Sequence, residues 1–120
     1  MEPSTREKGK KCEDIAVDYL IKSGYGIVKR NFRYGKVGEL DIVAQEGGTL
    51  VFVEVRSKSR VDSVSPEETV TKDKISRVKR VANFYLYVNG IKNTLCRIDV
   101  ITIVFVNGET VLKHYKNVTI

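Results

Sequence analysis

The sequence predicts one α/β domain, a mixed β-sheet flanked by helices, with elements in the order α-β-β-β-α-β-β. Three observations predict it. An apolar run of helical period opens the chain, three strand-like runs with glycine-bearing turns follow, and a long helical run then precedes an almost unbroken β-branched stretch. Alternation of this kind, with a helix joining the third strand to the fourth, calls for a sheet covered on both faces and a parallel pair across the helical connection. A chain of 120 residues can bury one modest core but not two. With 42% apolar residues and charges of both signs mixed along it, the chain is globular in composition.

From Cys12, the residues Ile15, Ala16, Tyr19 and Leu20 recur at helical spacing, and Gly24 stands where a C-terminal cap belongs. The first helix therefore ends at Ser23 or Gly24. Its projection gathers Asp14, Asp18 and Lys22 on a wet face but sets Glu13 inside the apolar arc of Val17 and Leu20. Three strand-like runs follow, Tyr25 to Tyr34, Val37 to Glu46 and Thr49 to Lys58. Gly47-Gly48 forms a two-residue hairpin turn, so opposed positions of the second and third strands sum to 95.

Ser65-Pro66-Glu67-Glu68 has the form of a helix start or capping box, and Thr71 is a second candidate N-cap. The second helix is predicted over Lys72 to Val88, with Ile75, Val78, Ala82, Tyr85 and Leu86 inward and Lys72, Arg77, Lys79 and Arg80 outward. That basic face is either a solvated helix surface or part of a phosphate-contacting one. Leu95 to Val106 reads as a central strand, and Asn107-Gly108 turns the chain into a last strand, Val111 to Lys116.

The formal net charge of +6 favours polyanionic partners, nucleic acid before anionic membrane, although solubility alone also accounts for a surplus of this size. No stretch approaches the roughly 18 apolar residues of a membrane span, and the N-terminus lacks the apolar core of a signal peptide. A cytoplasmic protein without membrane association is expected. Cys12 and Cys96 lie far apart, belong to no metal-binding spacing, and read as small buried hydrophobes.

The 95-sum register sets Asp41 opposite Glu54 and Glu39 opposite Arg56, each pair projecting from one face of the sheet. The other face of these strands, Leu40, Ile42 and Ala44 with Val51, Val53 and Val55, is apolar and expected to pack into the core. Two facing carboxylates repel, and a proton, a basic neighbour or a cation must relieve them. Mg²⁺, with Mn²⁺ as an alternative, suits this donor set because it takes one or two carboxylates and keeps several waters. The Val55 carbonyl offers a third contact, and water activated there would attack a phosphodiester. The plain alternative is an ion-pair network of the two acids with Arg56.

Asp41 followed by Glu54-Val55-Arg56 resembles the PD-(D/E)xK nuclease signature, with its Asp and its acidic-x-Lys tripeptide on adjacent strands. Gly38-Glu39-Leu40-Asp41-Ile42-Val43-Ala44, Val51-Phe52-Val53-Glu54-Val55-Arg56 and Ser65-Pro66-Glu67-Glu68-Thr69-Val70-Thr71 are similar to segments of the YraN-like family of uncharacterised, endonuclease-like proteins. Gly24-Tyr25 and Cys96-Arg97-Ile98-Asp99-Val100 extend the resemblance over nearly the whole chain.

The resemblance implies a restriction-endonuclease-like three-layer fold and a Mg²⁺-dependent nuclease acting on DNA, branched DNA included, with RNA left open. In the similar layout of archaeal Holliday-junction resolvases a glutamate of the first helix completes the metal site. Glu13 matches that position, and pairing with a basic neighbour is its other reading. The resolvase likeness also implies a homodimer.

Arg56 departs from the lysine of the pattern: a guanidinium stays protonated, so it orients groups and stabilises anions but takes no proton. Lys58 points the same way but lies about 6 to 7 Å further along the strand. Beyond Arg56 and Lys58, the expected nucleic-acid contacts are Lys72, Arg77 and Arg80. A runner-up function is a nucleic-acid-binding module whose nuclease site has decayed. Asp99 reads as a structural hydrogen-bonding acid rather than a catalyst, His114 as a surface residue, and Arg33 and Tyr34 as solvated turn residues.

Overall fold

A computed structural model describes residues 5–58 and 72–118. Its elements are α1 (Thr5–Lys22), β1 (Gly26–Tyr34), β2 (Gly38–Glu46), β3 (Thr49–Lys58), α2 (Lys72–Val88), β4 (Leu95–Val106) and β5 (Glu109–Tyr115). The order is the expected one, and α2 and β4 keep the boundaries read from the sequence. The candidate helix start Ser65-Pro66-Glu67-Glu68 and the candidate cap Thr71 lie outside the described residues.

The five strands form one sheet in chain order. The first three make an antiparallel meander, β3 and β4 run parallel from Thr49 beside Leu95 to Lys58 beside Val104, and β5 returns antiparallel. Two glycines set the entry into this sheet. Gly24, at φ 95°, lets the end of α1 turn back so that the Tyr25 N–H reaches the Leu20 carbonyl at 2.9 Å. Gly47, at φ 58°, takes the first position of the β2–β3 hairpin, and Glu46 then faces Thr49.

The helices cover opposite faces. Cys12, Ala16 and Leu20 of α1, one turn apart, pack with Ile42, Ala44, Val51, Val53, Ile101 and Ile103. Ile75, Val78, Val81, Ala82 and Tyr85 of α2 pack with Leu40, Val43, Leu50, Phe52, Ile98 and Val100. Burial on both faces makes the sheet the middle of three layers. It also corrects the expected placing of Leu40 on one face with Ile42 and Ala44. Leu40 shares a side with Val43, whereas Ile42 and Ala44 take the other, so the two-residue alternation slips at Asp41 and Ile42.

Two further expectations change. Cys96 is exposed, near the start of β4 in an open cleft beside Lys79, Ala82, Asn83 and Leu86 of α2, while Cys12 is buried as expected. His114 is an interior residue with a side chain only 5% exposed, because it has a buried partner. Its Nε2 lies 2.7 Å from Asp99 Oδ2 and its Nδ1 lies 3.0 Å from the Tyr19 hydroxyl. Arg97 Nε and the Asn117 N–H also donate to Asp99, at 3.0 and 2.9 Å. Burial alone would raise the Asp99 carboxyl, but these donors outweigh it and hold the group below its ordinary value. Among the described residues, no helix is long and apolar enough to cross a membrane.

Candidate metal centre

The break in β2 begins where its ladder with β3 stops. Paired positions sum to 95 from Glu46 and Thr49 through Ile42 and Val53, and the next pair would be Asp41 and Glu54. There the Asp41 carboxylate takes over from the backbone, its Oδ2 accepting the Val55 N–H at 2.9 Å. Val55, expected to meet a cation through its carbonyl, also meets Asp41 through its amide.

Asp41 then stands between two sets of charges. One belongs to the α1 side: oxygens of Glu13, Glu39 and Asp41 lie within 4.8 Å of one another. Glu13, misplaced on the apolar arc as a sequence, is brought here by the helix face that also buries Cys12 and Ala16. Arg30 lies 3.6 Å from Glu13 and 2.7 Å from Asp14, and Arg33 lies 3.6 Å from Glu39. Glu13 therefore has the basic neighbour that its second reading expects, and it also stands beside the acids Glu39 and Asp41. Glu39 faces Arg33 across β1 and β2, not Arg56, because the β2–β3 ladder ends before that pair.

The other set belongs to the α2 side. Glu54 is 5% exposed, with Lys74 Nζ 3.2 Å and Arg56 Nε 3.8 Å from its Oε1. Arg56 Nε is itself buried and makes no hydrogen bond among the described residues. Burial first, and then the charge of Glu54, push the Asp41 carboxyl up to about 7; Glu13 adds to this, while the Val55 amide and Lys74 oppose it. Glu13 is raised as well, by burial and by Glu39, against Arg30.

A cleft of about 850 Å³ opens over the α1 side, lined by Glu13, Arg30, Asn31, Arg33 and Glu39 together with Glu7, Gly9 and Lys10. Asn31 adopts φ 54° inside β1. With its amide nitrogen turned inward it donates to Glu39 Oε1 at 2.9 Å and to Glu13 Oε1 at 3.0 Å. Lys72, Arg77 and Arg80 are exposed on α2, and among the described residues no ion pair joins them to the acids. Lys58 ends β3 beside Val104, and its side chain lies outside the described residues. Tyr34, expected to be solvated, stacks on Phe84 with ring centroids 3.8 Å apart.

Glu39, Asn31 and Lys74 were not singled out by the sequence as site residues. Asn31 had a signal, since asparagine is depleted in strands and enriched at positive φ. Lys74 had one too: it stands four residues before Val78, on the stripe that α2 buries.

The donors are carboxylate oxygens, the ligand type preferred by Mg²⁺ and Mn²⁺, and a carboxyl that holds its proton to about 7 marks a site short of positive charge. The residues present fit such an ion. Comparison with known proteins finds that the family described as "Uncharacterised protein family UPF0102" matches residues 12–103. A UPF0102 protein of Persephonella marina is 46% identical over 92% of this chain and 90% of its own length. Those of Carboxydothermus hydrogenoformans and Clostridioides difficile are 40% and 36% identical, covering 94% and 95% of this chain and 95% and 97% of their own lengths.

Proposed function

The chain belongs to the uncharacterised family UPF0102, and from that premise and the acidic centre we propose that it is a metal-dependent nuclease hydrolysing DNA phosphodiester bonds. The observation that carries this reading is the convergence of Glu13, Glu39 and Asp41 within 4.8 Å, with buried Glu54 beside Asp41. Such a cluster is unfavourable unless something positive enters it.

Asp41 is the residue common to both sides of the site and would hold the ion, with Glu13 and Glu39 on one side and Glu54 on the other. A bound Mg²⁺ or Mn²⁺ supplies Lewis acidity to a phosphate oxygen and lowers the pKa of water. The chain's own groups do the rest. Asp41 gives up its proton on cation entry, so cation affinity and activity rise with pH through about 7. Val55 fixes the Asp41 carboxylate by its N–H. Arg56, permanently charged and 36% exposed in its side chain, orients the substrate phosphate but accepts no proton. Exposed Lys72, Arg77 and Arg80 extend positive charge along α2 for flanking phosphates.

The arginine at position 56 favours a second reading, a nucleic-acid-binding module without hydrolysis. Linear, nicked and four-way-junction DNA incubated with and without Mg²⁺ or Mn²⁺ separates the two. Cleavage that requires the cation, and that falls at least 100-fold in both Asp41→Ala and Glu54→Ala while DNA is still bound, is the expected result. Binding by all three proteins with no cleavage establishes the second reading and removes the first.

A further inference from the structure

The first turn of α2 carries a cation that the nuclease reading leaves unused. Lys74 reaches from the helix to Glu54, placing Nζ 3.2 Å from Oε1, while Arg56 approaches the same oxygen at 3.8 Å. Glu54 is nearly buried, and a buried carboxylate without compensation is costly. The Lys74 ammonium also acts electrostatically on Asp41. Its charge therefore falls on both acids at the point where the β2–β3 ladder ends, Glu54 by contact and Asp41 through space.

A divalent cation on those carboxylates is a like charge to the Lys74 ammonium. The two compete for one set of oxygens. The Lys74 side chain is 34% exposed and has the rotatable bonds to leave. Arg56, by contrast, has its Nε enclosed in the protein. A phosphodiester arriving with the cation brings the negative charge that a displaced ammonium needs. We propose that Lys74 is an exchangeable counter-ion, which neutralises Glu54 in the cation-free protein and passes to the substrate phosphate when a divalent cation replaces it. The inference rests on the cation-binding reading of the site, but not on hydrolysis.

Its test needs no cleavage. Mn²⁺ affinity is measured by calorimetry on the full chain and on Lys74→Met, Lys74→Arg and Asp41→Ala. Affinity for a short DNA duplex is measured with and without Ca²⁺. Removing a competing charge should tighten Mn²⁺ binding by Lys74→Met at least threefold, while Lys74→Arg, which keeps the charge, stays near wild type. Lys74→Met should weaken duplex binding at least threefold with Ca²⁺ present and leave it unchanged without. Equal or weaker Mn²⁺ binding by a folded Lys74→Met overturns the proposal, as does an equal loss of duplex affinity with and without Ca²⁺. Wild type binding Mn²⁺ no better than Asp41→Ala overturns the cation reading and this inference together, whereas an unchanged Lys74→Met beside a weakened Asp41→Ala removes this inference alone.

Discussion

Asp41 concentrates the physics of the site in one side chain. In the unfolded chain its carboxyl ionises near 3.8, while in the fold it keeps its proton to about 7, under burial first and the charge of Glu54 second. The folded state thus binds more protons between those values, and stability contributed at low pH is lost as pH rises through the window. Without divalent cation, the unfolding free energy should fall between pH 4 and pH 8, and Asp41→Asn should remove that component. The variant should exceed wild type by on the order of 2 kcal/mol at pH 8, measured by urea denaturation with chelator present. Added Mn²⁺ should reverse the order. Asp99 has the opposite sign, since its donors depress it and its contribution is present above the ordinary carboxylate range and lost as pH falls. Two acids of one sheet, on β2 and β4, thus differ in role because Asp99 is surrounded by donors whereas Asp41 stands among other carboxylates.

At the scale of elements, the hairpin of β2 and β3 was legible because Gly47-Gly48 leaves a single two-residue turn, and every observed pair obeys the register it fixes. The sequence did not reveal where the ladder would stop, because that depends on the Asp41 carboxylate taking the Val55 amide. The slip of faces at Leu40 falls at the same place, and no periodicity argument contains it. The interior place of His114 is illegible in the sequence for a similar reason: its partners Tyr19 and Asp99 stand 95 and 15 residues away. The α2 boundaries were plain from its apolar stripe, yet Lys74 on that stripe was overlooked because no sequence pattern says which buried acid would receive it. Asn31 belongs to this scale because its positive φ turns an amide of β1 into the acidic cleft. Asn31→Ala should cost about 1–2 kcal/mol, part for left-handed backbone and part for the lost amide. Asn31→Gly should recover the backbone part, and a denaturant midpoint no higher than that of Asn31→Ala would show that the conformation at this position carries no cost.

For the molecule as a whole, the three layers place the acids where the β2–β3 ladder ends, between the two helices, and leave the outer face of α2 basic. A net charge of +6 coexists with a local acidic excess, which suits a protein that meets a polyanion through its periphery and a cation through its centre. DNA affinity should accordingly fall linearly in log–log terms with salt. Charge reversal at Lys72, Arg77 and Arg80 together should flatten that slope by about 2–3 without altering Mn²⁺ affinity. A slope unchanged by the triple variant, read by fluorescence anisotropy, would place the DNA elsewhere. On the proposed reading, Asp41 and its acidic neighbours hold one divalent cation. Anomalous scattering from a crystal of the full chain grown with millimolar Mn²⁺ would locate it. A peak bonded to Asp41 and to at least one of Glu13, Glu39 and Glu54 is predicted; a map with no manganese at those oxygens would contradict it.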